Sequence, residues 1–312
     1  MRRREPVPDP TPEAVAPFIR AVGPIPIVNL GGGEPFLRDD LPAICALFPS
    51  RSGISIPTSG WRADAVVSRT RAILDVVPVK RLSLAVSIDG FRKTNDAIRG
   101  AGTYDRALET LRALIEIPGL RVKVNTVLTS ENADELIDFM QFVQQEGPCF
   151  HSILLVRGEP RDPACGLPPL DELARIAPRI LDIQRAYEGE ARSVFRRVAR
   201  NYLHAMWDVS LRTLGERRQV VPCLTGRAHL VLYANGDVAP CELLPPVGNI
   251  FRDATRAILR GAALSESVGR IRAGACWCTH NCNLMENILF SPRKVPALLG
   301  FGTKRPPGGN RE

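Results

Sequence analysis

Five short aliphatic and β-branched runs begin at residues 25, 53, 82, 121 and 152, and helical patterns at 37–48, 63–76, 104–115 and 133–145 fill the gaps. This alternation constrains the fold more than any other feature. Parallel strands cannot be joined by a tight hairpin; each return needs a crossover of a dozen residues or more, normally a helix. Repeated βαβ units therefore predict an α/β fold with a parallel sheet. The apolar density of run 82–88 predicts strands buried on both faces. Thr11-Pro12-Glu13 predicts one more helix ahead of the first strand, with a capping residue, a proline at the first helical position and an early acid.

The texture changes after residue 160. Arg161-Asp162-Pro163 and Gly166-Leu167-Pro168-Pro169 mark a break, 170–215 reads as Arg-rich helix, and short strands, glycine turns and cysteines follow from residue 221. The last twenty residues read as a frayed tail. With 312 residues, 45% hydrophobic and 24% charged, the chain can bury a sizeable core and is neither collagenous nor a disordered tail. No apolar run approaches the roughly 20 residues of a membrane span. Met1-Arg2-Arg3-Arg4 leads into proline-rich sequence with Asp9 and Glu13 rather than an apolar stretch, so no export signal is expected and the location is expected to be cytoplasmic. The net charge of +8 comes from 41 basic residues, of which five are lysines; they are scattered and aromatics are 6%, so no nucleic-acid partner is expected.

The run 25–30 leads directly into Gly31-Gly32-Gly33-Glu34-Pro35. Glycines at a strand end let backbone approach a ligand, and a carboxylate there can accept from an ammonium group. The following runs end in Thr58-Ser59-Gly60, Ser87-Ile88-Asp89-Gly90, Asn125-Thr126 and Arg157-Gly158-Glu159. Polar groups at successive strand ends are where parallel α/β sheets place ligands.

These segments resemble the radical S-adenosylmethionine enzymes. Gly32, Gly33, Glu34 and Pro35 match the family's Gly-Gly-Glu-Pro turn, which holds the methionine amino group of S-adenosyl-L-methionine. Ser59 stands where the usual Thr-Asn-Gly has Asn, and Asn95-Asp96-Ala97-Ile98-Arg99-Gly100 is similar to a His-Asp-x-Ile-Arg-Gly segment, with Asn for His. The resemblance, over about residues 25–160, implies that Ser87 and Asp89 lie near the ribose and that Arg99 serves the methionine carboxylate. It also implies three cysteines, usually C-x3-C-x2-C, ahead of the glycine turn, to hold a catalytic 4Fe–4S cluster. No cysteine precedes Cys45. The expectation is an N-terminally truncated reading, with first strand and cluster loop upstream; the catalytic cluster is expected only in a full-length form. Cys45, Cys149 and Cys165 are expected to pack in the core.

Five of the eight cysteines lie from residue 223 onward, as Cys223-x12-Gly236-x4-Cys241 and Cys276-Trp277-Cys278-Thr279-His280-Asn281-Cys282. In a reducing compartment such clustering favours metal over disulfides. By spacing, iron–sulfur and tetrahedral zinc are equally compatible. The sequence from Cys223-Leu224-Thr225-Gly226 through Val247-Gly248-Asn249-Ile250 resembles the SPASM or twitch extension of the same enzymes, which implies one auxiliary 4Fe–4S cluster. Cys223 and Cys241 are implied ligands, with two of Cys276, Cys278 and Cys282 completing the shell. His280 is expected to be a solvated loop residue, and His151, His204 and His229 structural.

The expected architecture is a partial (β/α)6 TIM-like barrel over 1–165, a helical linker over 166–219, a small cysteine-rich α+β domain over 220–290 and a tail over 291–312. The resemblance implies hydrogen abstraction from a peptide or small-molecule substrate, with electrons from a reducing protein such as a flavodoxin or ferredoxin and no membrane partner. This chain lacks the catalytic thiols and is expected to be inactive by itself. The alternative is a non-catalytic iron–sulfur or zinc binding protein on the same scaffold.

Overall fold

The computed structural model describes residues 9–157, 165–188 and 193–301. Thr11 caps α1 (Pro12–Val22), its hydroxyl accepting from the Ala14 amide. Then come β1 (Ile27–Asn29), α2 (Leu41–Ala46), β2 (Gly53–Thr58), α3 (Ala63–Leu74), β3 (Leu82–Ser87), α4 (Arg92–Arg99), α5 (Thr103–Ile115), β4 (Arg121–Leu128), α6 (Leu136–Glu146) and β5 (Phe150–Leu155). The five strands are parallel and ordered β1-β2-β3-β4-β5, a curled half-barrel.

Side chains alternate between the two faces of a strand, so each strand makes two surfaces. One carries Ile54, Ile56, Leu84, Val86, Val122 and Val124, packed with Val66, Ile73, Leu111, Leu114 and Phe139 of the helices. The other carries Asn29, Ser55, Ser83, Ser87, Lys123, Asn125 and Ser152, all half-buried or exposed. Strand register joins them into rows, Asn29–Ser55–Ser83 and Ser87–Asn125–Ser152. Burial on both faces, expected for 82–88, holds at Ala85, which is 2% exposed, while Ser83 and Ser87 on the same concave face are half-buried. Helices cover one side, and Ser83 and Ser87 belong to a polar concave side.

The stretch expected as a linker is part of the core. In α7 (Leu170–Glu188) and α8 (Val194–Glu216), Leu173, Ile176, Ile180 and Trp207 are buried against Leu128, Met140 and Ile153. The cysteine-rich unit has a three-stranded antiparallel sheet, β6 (Val231–Leu232), β7 (Asp237–Ala239) and β8 (Gly248–Asn249). Helices α9 (Thr255–Arg260), α10 (Ala262–Arg272), α11 (Asn281–Leu289) and α12 (Val295–Leu298) complete it. Phe18 of α1 packs on Val238 and Ile258, tying the first helix to this unit. Leu298 is buried with Val209 and Ile288, so the expected tail contributes a packed turn of helix. Residues 302–312 lie outside the described residues.

Candidate functional site

The glycine turn leaves β1 at the end of the half-barrel. A Cβ added at Gly32 or Gly33 would meet nothing within 4 Å, so the turn is bare on its open side. Glu34 is fixed beside it: Oε2 accepts from the Ser59 amide at 2.7 Å and the Ser59 hydroxyl at 2.6 Å, and Oε1 from the Phe36 amide at 3.3 Å. Pro35 opens the short 3-10 turn that supplies that Phe36 amide. Ser59 thus anchors the carboxylate through both of its donors.

Asp89 is buried and its carboxylate is engaged by β4 and α4. Its Oδ1 accepts from the Val127 amide at 2.8 Å and its Oδ2 lies 2.7 Å from Arg99 Nε. Ser87 stands on the concave face in register with Asn125. Asn95, at the family's histidine position, accepts from the Asp89 amide at 2.9 Å and donates to the Thr103 hydroxyl at 2.9 Å. Asn132 was not singled out from sequence. Its Nδ2 donates to the carbonyls of Asp89 and Val127 at 2.7 and 2.9 Å, and its Oδ1 accepts from the Thr129 amide at 2.9 Å. The local signal for it was Thr129-Ser130-Glu131-Asn132, a polar run suited to side-chain-to-backbone bonding just after a strand.

Of the N-terminal cysteines, Cys45 is fully buried in the helix-side core, and burial pushes its thiol up to about 12. Cys149 is exposed at the start of β5, which corrects its expected core role; the turn Gly147-Pro148 swings it out of the packed face. Cys165 is half-buried.

The five C-terminal cysteines divide into four and one. Cys276 and Cys278 are raised first by burial, Cys278 to about 11, and both then feel Cys223 and Cys241 as electrostatic neighbours. Cys241 in turn feels Cys223. Cys223, Cys276 and Cys278 line one cavity with Trp277, Gln219 and Asn283. Gln219 clips this cage together, accepting from the Cys223 amide at 3.2 Å and donating to the carbonyls of Ile271 and Cys276 at 2.7 and 2.9 Å. Asn287 accepts from the Leu224 amide at 2.7 Å. Among the described residues, no three His, Cys, Asp or Glu side chains sit close enough to hold a single metal ion.

Cys282 faces elsewhere. Asn29 Nδ2 of β1 donates to its sulfur at 3.6 Å. Burial raises its thiol, and its charged neighbours are Glu242, Arg157, Glu286 and Lys123, with no cysteine among them. The first turn of α11 therefore reaches the half-barrel, where Asn281 also donates to the Ile153 carbonyl of β5 at 3.2 Å. Glu242 joins the two units, 3.0 Å from Arg157 and 3.2 Å from His280 Nε2. Bonding to His280 outweighs burial there and holds the Glu242 carboxyl down to about 2. His280 is 3% exposed, which corrects the expectation of a solvated loop histidine: it caps α11 and turns inward onto Glu242. Arg157 is salt-bridged to the other unit, whereas Gly158 and Glu159 lie outside the described residues.

Residues 2–143 match the model of the radical SAM superfamily, and residues 223–283 match that of the SPASM iron–sulfur cluster-binding domain. The mycofactocin maturase MftC of Mycolicibacterium smegmatis is 32% identical over 122 residues, 38% of this chain and 30% of that protein. The Fe-coproporphyrin III synthase of Methanosarcina barkeri is 30% identical over 128 residues, 39% of this chain and 29% of that protein. The chain thus spans about a third of the length of these curated relatives. Among solved structures, SuiB of Streptococcus suis bound to its precursor peptide SuiA superposes with a TM-score of 0.60 at 14% identity, over 86% of this chain and 62% of SuiB. Native anSMEcpe with bound AdoMet and a Kp18Cys peptide gives 0.57 at 12% identity, over 84% and 75%. At these identities the superpositions establish the fold alone, a curled parallel half-barrel. The two family matches go further: the chain carries a radical SAM superfamily domain over residues 2–143 and a SPASM iron–sulfur cluster-binding domain over residues 223–283.

Proposed function

We propose that this chain is the S-adenosylmethionine-binding and auxiliary-cluster body of a radical enzyme that abstracts hydrogen from a peptide or small molecule. The observation that carries this reading is the bare glycine turn beside a carboxylate already fixed by Ser59. A pre-oriented acceptor next to open backbone suits the ammonium group of an amino-acid-like ligand. Ser87 lies farther along the same concave face, and Asp89 holds Arg99 at its rim. We assign Asp89 to positioning Arg99, because both of its oxygens are engaged within the chain.

Cys223, Cys241, Cys276 and Cys278 are the proposed ligands of one auxiliary 4Fe–4S cluster. Two observations support the fit: Cys276 and Cys278 both have Cys223 and Cys241 as electrostatic neighbours, and the cavity lined by Cys223, Cys276 and Cys278 is also lined by Asn283, whose buried amide oxygen has no partner among the described residues. When bound, such a cluster supplies one-electron chemistry. The protein's part is to hold the thiolates apart at fixed positions, through the Gln219 clip, and to screen them from water.

A catalytic cluster does not fit this chain as it stands. No cysteine precedes Cys45, and Cys45 is sealed in the core on the helix side. Peptide substrates are favoured over small molecules by the peptides bound in the solved neighbours, SuiA with SuiB and Kp18Cys with anSMEcpe. A reducing protein such as a flavodoxin or ferredoxin is the proposed electron source.

The test is binding. Anaerobic reconstitution should load about four irons per chain, and equilibrium dialysis should show S-adenosylmethionine retained by the native chain and lost in Glu34→Gln. Retention undiminished in Glu34→Gln would sink the turn as the binding site. Zinc in place of iron would favour the non-redox reading.

A further inference from the structure

We infer that Asn283 sets the electron affinity of the auxiliary centre through an N–H···S bond to Cys241. The inference rests on the auxiliary-cluster reading and adds a residue to it. Asn283 is the third residue of α11 and is 2% exposed. Its Nδ2 lies 3.7 Å from Cys241 Sγ, and it lines the cavity together with Cys223, Cys276 and Cys278. The same sulfur accepts from the Leu243 amide at 3.4 Å, so Cys241 is the member of the set with two N–H groups directed at it.

Packing does not explain an asparagine here. Its Oδ1 is buried without a hydrogen-bond partner among the described residues, and an unmade bond on a buried amide is costly. A leucine would fill similar volume without that penalty. The neighbouring amides shape the cage through backbone groups: Gln219 clips Cys223 to Cys276, and Asn287 Oδ1 holds the Leu224 amide. Asn283 instead directs its donor at a ligand sulfur. A hydrogen bond to a cluster thiolate withdraws electron density and stabilises the more negative, reduced state, so it raises the reduction potential.

The experiment is a redox titration of the reconstituted full chain, followed by electron paramagnetic resonance, with iron and sulfide counted on each sample. Asn283→Leu should keep the wild-type iron and sulfide content and shift the midpoint to more negative potential. Asn283→Asp keeps the size but replaces the donor with a carboxylate, and should shift it further in the same direction. Asn283→Gln, which retains an amide donor, should lie between wild type and Leu. As a contrast, Gln219→Leu should lower the iron content through a loosened cage. A wild-type midpoint in fully loaded Asn283→Leu, or an unchanged or raised midpoint in Asn283→Asp, would overturn the inference while leaving the auxiliary cluster intact. A wild-type chain that takes up no iron and sulfide would instead overturn the cluster reading itself, and this inference with it.

Discussion

At Gly60 the backbone φ is +69°, and a Cβ would approach the Cα of Ala107 at 2.8 Å. Backbone cannot give way as a flexible side-chain tip can, so Gly60→Ala should cost roughly 1–3 kcal/mol, read from chemical denaturation. Gly33 stands two residues before Pro35 with ordinary φ and open space, so Gly33→Ala should leave stability nearly unchanged and weaken S-adenosylmethionine binding. Equal effects of the two variants on stability would count against this distinction. His151 makes a second residue-scale argument. The Thr126 hydroxyl donates to the Ile88 carbonyl at 2.6 Å and lies 2.8 Å from His151 Nε2, so the ring nitrogen is the donor of that pair. Nδ1 is buried without a partner among the described residues, and burial holds the ring neutral, with its pKa lowered to about 3. The unfolded chain takes up this proton near pH 6.5, whereas the folded chain resists it until about pH 3. Stability from this site is thus present above pH 6.5 and is lost as pH falls below it, by at most about 1.4 kcal/mol per pH unit. His151→Gln should flatten the decline of the denaturation midpoint between pH 6.5 and 4.5; parallel slopes for both proteins would refute it.

At the scale of elements, the runs at 53, 82, 121 and 152 and the capped start at Thr11 were legible, because period and capping are local properties. Strand β1 is shorter than its apolar run, since Pro26 precedes it and Leu30 already belongs to the turn. Helix α4 was missed because its eight residues carry one buried side chain, Asn95, and so show no apolar stripe. Helix α11 separates Cys282 from the cysteines that precede it. Its first turn sends Cys282 toward Asn29, while Cys276 and Cys278 stay with Cys223 and Cys241 in the loop before it. Cys278→Ser should therefore lose most reconstituted iron, and Cys282→Ser should keep it, by colorimetric iron assay. Loss of iron in Cys282→Ser alone would reverse the assignment.

For the whole molecule, α7 and α8 bury their apolar faces on the half-barrel, and Glu242 links Arg157 of the barrel with His280 of the cysteine-rich unit. These contacts hold the cysteine-rich unit, and with it the proposed auxiliary centre, at a fixed place beside the concave face. No cysteine of this sequence precedes Cys45, which is sealed in the core, so the cysteine trio of a catalytic cluster is lacking and incubation with S-adenosylmethionine and a strong reductant should yield no 5′-deoxyadenosine by chromatography. Product formed in proportion to protein would refute this.

By itself, the sequence determined the parallel α/β class, the glycine turn with its carboxylate, and the membership of the thiol-rich segment, because periodicity, turn chemistry and ligand spacing are written in neighbouring residues. Tertiary structure decided which face of the sheet is polar, that the helical segment 170–216 is core, that His280 is buried, and that Cys282 stands apart from the other four. Those outcomes depend on which distant elements a side chain meets. The direction of a cysteine four residues beyond its neighbour is set by where a helix begins, and that start is fixed by packing against strands more than a hundred residues earlier.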